Sequence, residues 1–122
     1  MPAVDRLLDA ARSRIGPRAE AAALGEELAA GALVVDTRPE SLRQKDGALP
    51  GAVVVERNVL EWRLDPTSPH RLDGMDDPRR RVIIVCDEGY ASSLSAAVLL
   101  DLGLTNVTDL AGGYQAWLAL HG

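Results

Sequence analysis

The chain has 122 residues, with 13 basic against 18 acidic side chains and a formal net charge of −5. That length fits one domain, residues 1–122, able to bury a real core without disulfide or metal staples. The acidic balance argues against a broad nucleic-acid surface. No apolar run is long enough for a membrane-spanning helix, and a single cysteine allows neither an internal disulfide nor a thiolate zinc site.

Val4, Leu7, Leu8, Ala11 and Ile15 recur at helical spacing and predict an amphipathic helix over 3–14, within a lead-in of residues 1–16. Two aspartates and no continuous apolar segment set this stretch apart from a secretory signal. The lone thiol suits a reducing compartment, so a cytoplasmic location is expected. Gly16-Pro17 ends the helix. Pro17 also suits the first turn of a second helix, predicted to run to about Ala30 and stop at Gly31.

Three aliphatic runs follow: Ala32 to Asp36, Ala52 to Glu56 and Arg81 to Cys86. Asn106 to Leu110 is a weaker fourth. The first three lack alternation, as strands buried on both faces do. Helical patterns separate them: a short one after Pro39, one around Asn58 to Leu64, a strong one from Ala91 to Leu102, and a last one after Gly113. Residues 65–80, with three prolines and Asp73-Gly74, read as a loop. This alternation predicts an α/β fold, a mainly parallel sheet with helices on both faces.

In such sheets ligands bind beyond the carboxyl ends of the strands. Those ends carry Asp36-Thr37-Arg38, Glu56-Arg57, Cys86, and Gly112-Gly113. Cys86 precedes a glycine turn at Gly89 and a helix, with Ser92 or Ser93 as the expected N-cap. A strand, a tight turn and a helix N-terminus present several N–H groups to one point, which would stabilise a thiolate or persulfide. On pattern alone Cys86 is equally a small buried hydrophobe or a nucleophile.

Four stretches then resemble the signatures of rhodanese-like sulfurtransferase domains. They are VDTRP (Val35 to Pro39), GALPGAV (Gly47 to Val53), CDEGYASS (Cys86 to Ser93) and GGYQAW (Gly112 to Trp117). The resemblance implies a single rhodanese-like domain, its core at about 17–120, around a five-stranded sheet whose fifth strand lies near Arg14-Ile15. It also implies transfer of sulfane sulfur, with Cys86 as nucleophile and Asp87, Glu88, Gly89, Tyr90, Ala91 and Ser92 as the active-site loop. No metal or cofactor is expected. The expected partners are a small-molecule sulfur donor, such as thiosulfate, and a thiol or cyanide-like acceptor, with a protein thiol as a further candidate. No nucleic-acid or membrane partner is expected.

The sequence departs from the family pattern in three ways, one of them Ala48 of the GALPGAV stretch, where many members carry His. Ala91 stands where a C-x-x-G-x-R-S loop carries Arg, and Asp87 and Glu88 make the loop acidic. These departures favour weak thiosulfate turnover and keep open the alternative of a regulatory, sulfur-carrier or protein-interaction module. A phosphatase or arsenate reductase would need Arg six residues after Cys86, where Ser92 stands.

Other side chains divide between structure and chemistry. Asp36 is expected to bond backbone N–H groups beside the loop. Arg38 is either paired with a carboxylate or in contact with an anionic donor. Arg38 and Arg57 are expected to line the strand-end crevice as substrate-binding residues, with Arg63 and Trp62 weaker candidates. Trp117 is expected in the core behind Gly112-Gly113, and His70 and His121 in solvent.

Overall fold

The computed structural model describes residues Met1–Gly122. The aliphatic runs become short strands: β1 (Leu33–Asp36), β2 (Val53–Val54), β3 (Val82–Val85) and β4 (Val107–Asp109). They hydrogen-bond in the order β2-β1-β3-β4, and every pair is parallel. Leu33 lies opposite Val82 and Asp36 opposite Val85, so β1 and β3 end level with each other. Asp36 and Cys86 therefore emerge at one edge of the sheet.

Six helices surround the sheet: α1 (Ala3–Ile15), α2 (Leu24–Ala29), α3 (Glu40–Asp46), α4 (Leu60–Leu64), α5 (Ala91–Leu100) and α6 (Gly113–His121). Leu33, Val35, Val82 and Ile84 share one core with Ile15 of α1, Leu60 of α4 and Leu99 of α5. The intervening Val34, Ile83 and Val85 share the other with Leu24 of α2 and Tyr114 of α6. The period of two is present, but both faces are buried, so no polar residue marks it. None of the helices is long and apolar enough to cross a membrane.

The expected α/β fold with a parallel sheet is present, with three local differences. The segment after Gly16 is not a helix from Pro17. It is extended, and Ala19 makes a parallel bridge to Leu110 on the free edge of β4. The Ala19 N–H donates to the Asp109 carbonyl at 2.9 Å, and the Ala111 N–H donates to the Ala19 carbonyl at 2.9 Å. This bridge takes the place of the fifth strand expected near Arg14-Ile15, and Ile15 is instead helical and buried. Proline's fixed φ suits an extended chain as well as a first helical turn, and the open edge of β4 needs partners for its backbone groups. Only a 3₁₀ turn, Ala21–Ala23, and α2 remain helical.

The second difference is β2, which is two residues long, with Val53 38% and Val54 45% exposed. It is an edge strand, and aliphatic composition does not report which strand lies at an edge. Third, α5 ends at Leu100 rather than Leu102, where Asp101 and Gly103 close it with a turn.

Candidate active site

β3 ends at Val85, and Cys86 is the next residue. The chain turns at Gly89, with φ of +85°, and enters α5 at Ala91. The N–H groups of Gly89 and Ser92 donate to Cys86 Sγ at 3.2 and 3.3 Å. Cys86 is 8% exposed, so the sulfur is enclosed but reachable. The first N–H groups of a helix have no intrahelical acceptor, and the sulfur occupies the point to which they converge.

The carbonyls of Cys86, Asp87 and Gly89 each accept a hydrogen bond from outside the loop. The Cys86 carbonyl accepts the Tyr114 N–H at 2.9 Å and the Asp87 carbonyl accepts the Gln115 N–H at 3.0 Å. The start of α6 thus backs the loop. Its approach needs glycine: a Cβ on Gly113 would lie 2.6 Å from the Asp87 carbonyl oxygen, and one on Gly89 would lie 2.6 Å from the Gly112 nitrogen. The GGYQAW stretch is the platform that allows loop and helix to touch.

A cleft of about 310 Å³ opens over the sulfur, bordered by Thr37, Pro39, Arg57, Asp87, Glu88 and Tyr90, among others. Glu88 and Tyr90 are exposed, while Asp87 is half-buried and accepts from Gln115 Nε2 at 2.9 Å. Arg57 reaches the cleft with its side chain 44% exposed and pairs with Glu61 at 2.7 Å. No group of three or more His, Cys, Asp or Glu side chains is arranged to hold a metal ion.

Arg38 is held mainly by internal partners. Its residue borders the cleft, but its side chain has no exposed surface. The guanidinium pairs with Asp36 at 2.8 Å, donates to the Gly47 carbonyl at 2.9 Å and lies over the Tyr114 ring, 3.6 Å from its centroid. Of the two readings, the pair with a carboxylate is the one this geometry supplies, at a position that borders the crevice as expected. The reason is local: Asp36 is buried at the end of β1, and a buried carboxylate takes the nearest cation. Asp36 accepts one backbone N–H, that of Arg38, at 3.0 Å.

Arg63 donates to the His70 carbonyl, and Trp62 is 57% exposed; neither borders the cleft. Trp117 is half-buried between Tyr114 and His121 rather than in the core. Ser92 and Ser93 do not cap α5, since the N-cap position is Tyr90 with no side-chain cap. Both hydroxyls donate instead to Asp109 Oδ2, each at 2.7 Å.

Asp109, Arg12 and Arg18 were not singled out from the sequence. Asp109 is wholly buried beneath the first turn of α5 and is ion-paired with Arg18 at 2.8 Å. Arg12 and Arg18 both donate to the Gly89 carbonyl, at 2.9 and 2.7 Å. A charged residue inside the apolar run Asn106 to Leu110 is the one signal that pointed here, because a buried aspartate in a strand requires donors.

The family model for the rhodanese-like domain matches residues 20–120. The adenylyltransferase and sulfurtransferase UBA4 of Meyerozyma guilliermondii is 29% identical over 89 residues, which are 70% of this chain and 20% of that protein. The chain thus spans about a fifth of the length of the curated relatives it matches. A structure from Rhodopseudomonas palustris, described as a protein of unknown function and possible tyrosine phosphatase, superposes with a TM-score of 0.86. It is 30% identical, over 100% of this chain and 93% of that one. The human single-domain sulfurtransferase TSTD1 gives a TM-score of 0.68 at 22% identity, over 85% of this chain and 96% of that one, a likeness of fold.

Proposed function

The chain belongs to the rhodanese-like domain family, and from that premise we propose that it is a sulfurtransferase, moving sulfane sulfur from a donor to a thiophilic acceptor through a persulfide on Cys86. The observation that carries this reading is the sulfur itself, accepting two backbone N–H bonds at the floor of an open cleft. Donors fixed in place before reaction stabilise an anion without reorganising, whether it sits on Sγ or on the outer sulfur of a persulfide.

With thiosulfate as donor the steps balance. The Cys86 thiolate attacks the sulfane sulfur and forms a new S–S bond. The bond to the sulfonate sulfur breaks, and sulfite leaves with the electron pair. A thiolate or cyanide then attacks the outer sulfur, producing a persulfide or thiocyanate and regenerating the Cys86 thiolate. The cleft admits a small donor, and Arg57 at its rim is the cationic side chain that such an anion would meet. Asp87 and Glu88 oppose it, so neutral and organic donors, or a protein thiol, fit this cleft better than thiosulfate. A cytoplasmic location belongs to the same reading, because a free thiol of this kind persists in a reducing compartment.

The description of the Rhodopseudomonas structure raises a phosphatase. Against it stands Ser92, six residues after Cys86, whose N–H and hydroxyl are both committed, to Sγ and to Asp109. No guanidinium closes this loop around an oxyanion.

The test is mass spectrometry of the intact protein after incubation with thiosulfate and with an organic persulfide. A reductant-labile adduct of about 32 Da, one sulfur atom, is expected on wild type and absent from Cys86→Ser. No adduct from any donor would leave the interaction-module reading in its place. Undiminished transfer by folded Cys86→Ser would remove the assignment of the nucleophile.

A further inference from the structure

Arg12 on α1 and Arg18 before the Ala19 bridge precede the residues that the family model matches. Both guanidinium groups nevertheless converge on one atom of the loop, the Gly89 carbonyl oxygen. That carbonyl lies between the two N–H groups that face Sγ, those of Gly89 and Ser92. Arg18 is neutralised by the buried Asp109. Arg12 differs: its loop partners are a carbonyl and, through Nε at 3.1 Å, the Ser93 hydroxyl. Its guanidinium also stands 5.7 Å from the centroid of the Tyr90 ring. It makes no direct ion pair, and the Ser93 hydroxyl stands between it and Asp109.

We propose that Arg12 is a positioning residue for the Cys86 loop and supplies, from behind the loop, the positive charge that Ala91 does not. This rests on the reading of Cys86 as the reacting thiol. The physical argument has two parts. A trans peptide points its carbonyl and the following N–H in opposite directions, so drawing the Gly89 carbonyl outward directs the Tyr90 N–H toward the cleft. A cation on that carbonyl also polarises the peptide and adds a favourable field for an anion at the sulfur. The N-terminal helix, outside the matched span, thereby becomes part of the site's electrostatics and offsets Asp87 and Glu88.

Alkylation of Cys86 tests this without relying on sulfur transfer. Iodoacetate and iodoacetamide react with the same thiolate and differ in charge, so the ratio of their second-order rate constants reads the local field. Arg12→Gln is expected to lower the iodoacetate-to-iodoacetamide ratio by about threefold to tenfold at low salt, with the loss shrinking as salt rises. Arg12→Lys keeps the charge but not the two-point hydrogen bonding, and its ratio is expected between those of wild type and Arg12→Gln. Arg14→Gln removes a cation from the same helix whose partner is the exposed Asp101, and is expected to leave the ratio unchanged.

A ratio unchanged in Arg12→Gln, or an equal fall in Arg14→Gln, would overturn the proposal. The persulfide assay on the same variants separates the two ideas. An altered ratio with no persulfide from any donor sinks the sulfurtransferase reading and keeps Arg12 as a positioning residue. Persulfide formation with an unchanged ratio does the reverse.

Discussion

Ser92 Oγ donates to Asp109 Oδ2 at 2.7 Å, and both residues are 0% exposed. This bond ties the residue whose N–H faces the sulfur to the end of β4, across the packing of α5 on the sheet. The same carboxylate accepts from Ser93 and from two nitrogens of Arg18. Asp109→Ala would leave two buried hydroxyls and a half-buried guanidinium without their acceptor. A loss of about 3–5 kcal/mol is expected, read as a lower denaturant midpoint with the m-value unchanged. Asp109→Asn, which keeps one oxygen acceptor, should fall between the two. A midpoint for Asp109→Ala equal to wild type would show that this network does not hold α5.

The two arginines expected at the crevice should separate by experiment. Arg38→Met strands the buried Asp36 carboxylate and should cost about 3–5 kcal/mol. Arg57→Gln removes a half-exposed, surface-type pair and should change stability by no more than about 0.5 kcal/mol. It should nevertheless raise KM for thiosulfate about twofold to fivefold at low salt, with kcat nearly unchanged. Denaturation and steady-state kinetics on the pair of variants decide it, and the opposite assignment of effects would refute this division of roles.

The acidic loop sets a preference among donors. At about 8 Å and an effective dielectric of about 20–40, each carboxylate repels a unit charge by roughly 1–2 kcal/mol before screening. Changing Asp87 to Asn and Glu88 to Gln should therefore raise kcat/KM for thiosulfate about tenfold, or ~1.4 kcal/mol. Asn at 87 retains an oxygen acceptor for Gln115, so the tether between loop and α6 survives. A neutral donor should gain less. Equal gains for both donors would mean that repulsion does not limit this loop, and Ala91 would then be the next position to change.

Glu27 on α2 meets Arg81, just before β3, through both carboxylate oxygens, at 3.3 and 2.8 Å. The hydrogen bond from Arg81 holds the Glu27 carboxyl below its ordinary value against a smaller opposing effect of burial. A carboxyl depressed on folding stabilises the protein above its unfolded value, about 4.5, and loses that contribution as pH falls through the folded value. Glu27→Gln should cost no more than about 1 kcal/mol at pH 7, because the pair is partly solvated. The gap from wild type should shrink as pH falls below about 4.5. Urea midpoints on either side of that pH check this, and a gap that widens in acid would reverse the sign.

The amino-acid sequence alone determined the parallel α/β fold, the strand runs that build it and the position of Cys86 before a glycine turn and a helix. Those features are local. An aliphatic run, a residue able to take positive φ and a helical period each act over a few residues, and together they leave the thiol at a strand end. Chain pattern also carried the four signature stretches, of which Gly112-Gly113 proved to be the backing of the loop.

Tertiary structure alone decided where the charges go. Arg38 and Arg57 follow apolar runs in the same way and both border the cleft, yet one side chain is enclosed against Asp36 and Tyr114 and the other is half-exposed. Ala19 joins the sheet because β4 has a free edge, a fact about strand order that no window around Pro17 contains. Arg12 and Arg18 meet Gly89 across 77 and 71 residues. Long flexible cations choose partners by distance and burial in the folded chain, and sequence separation carries neither.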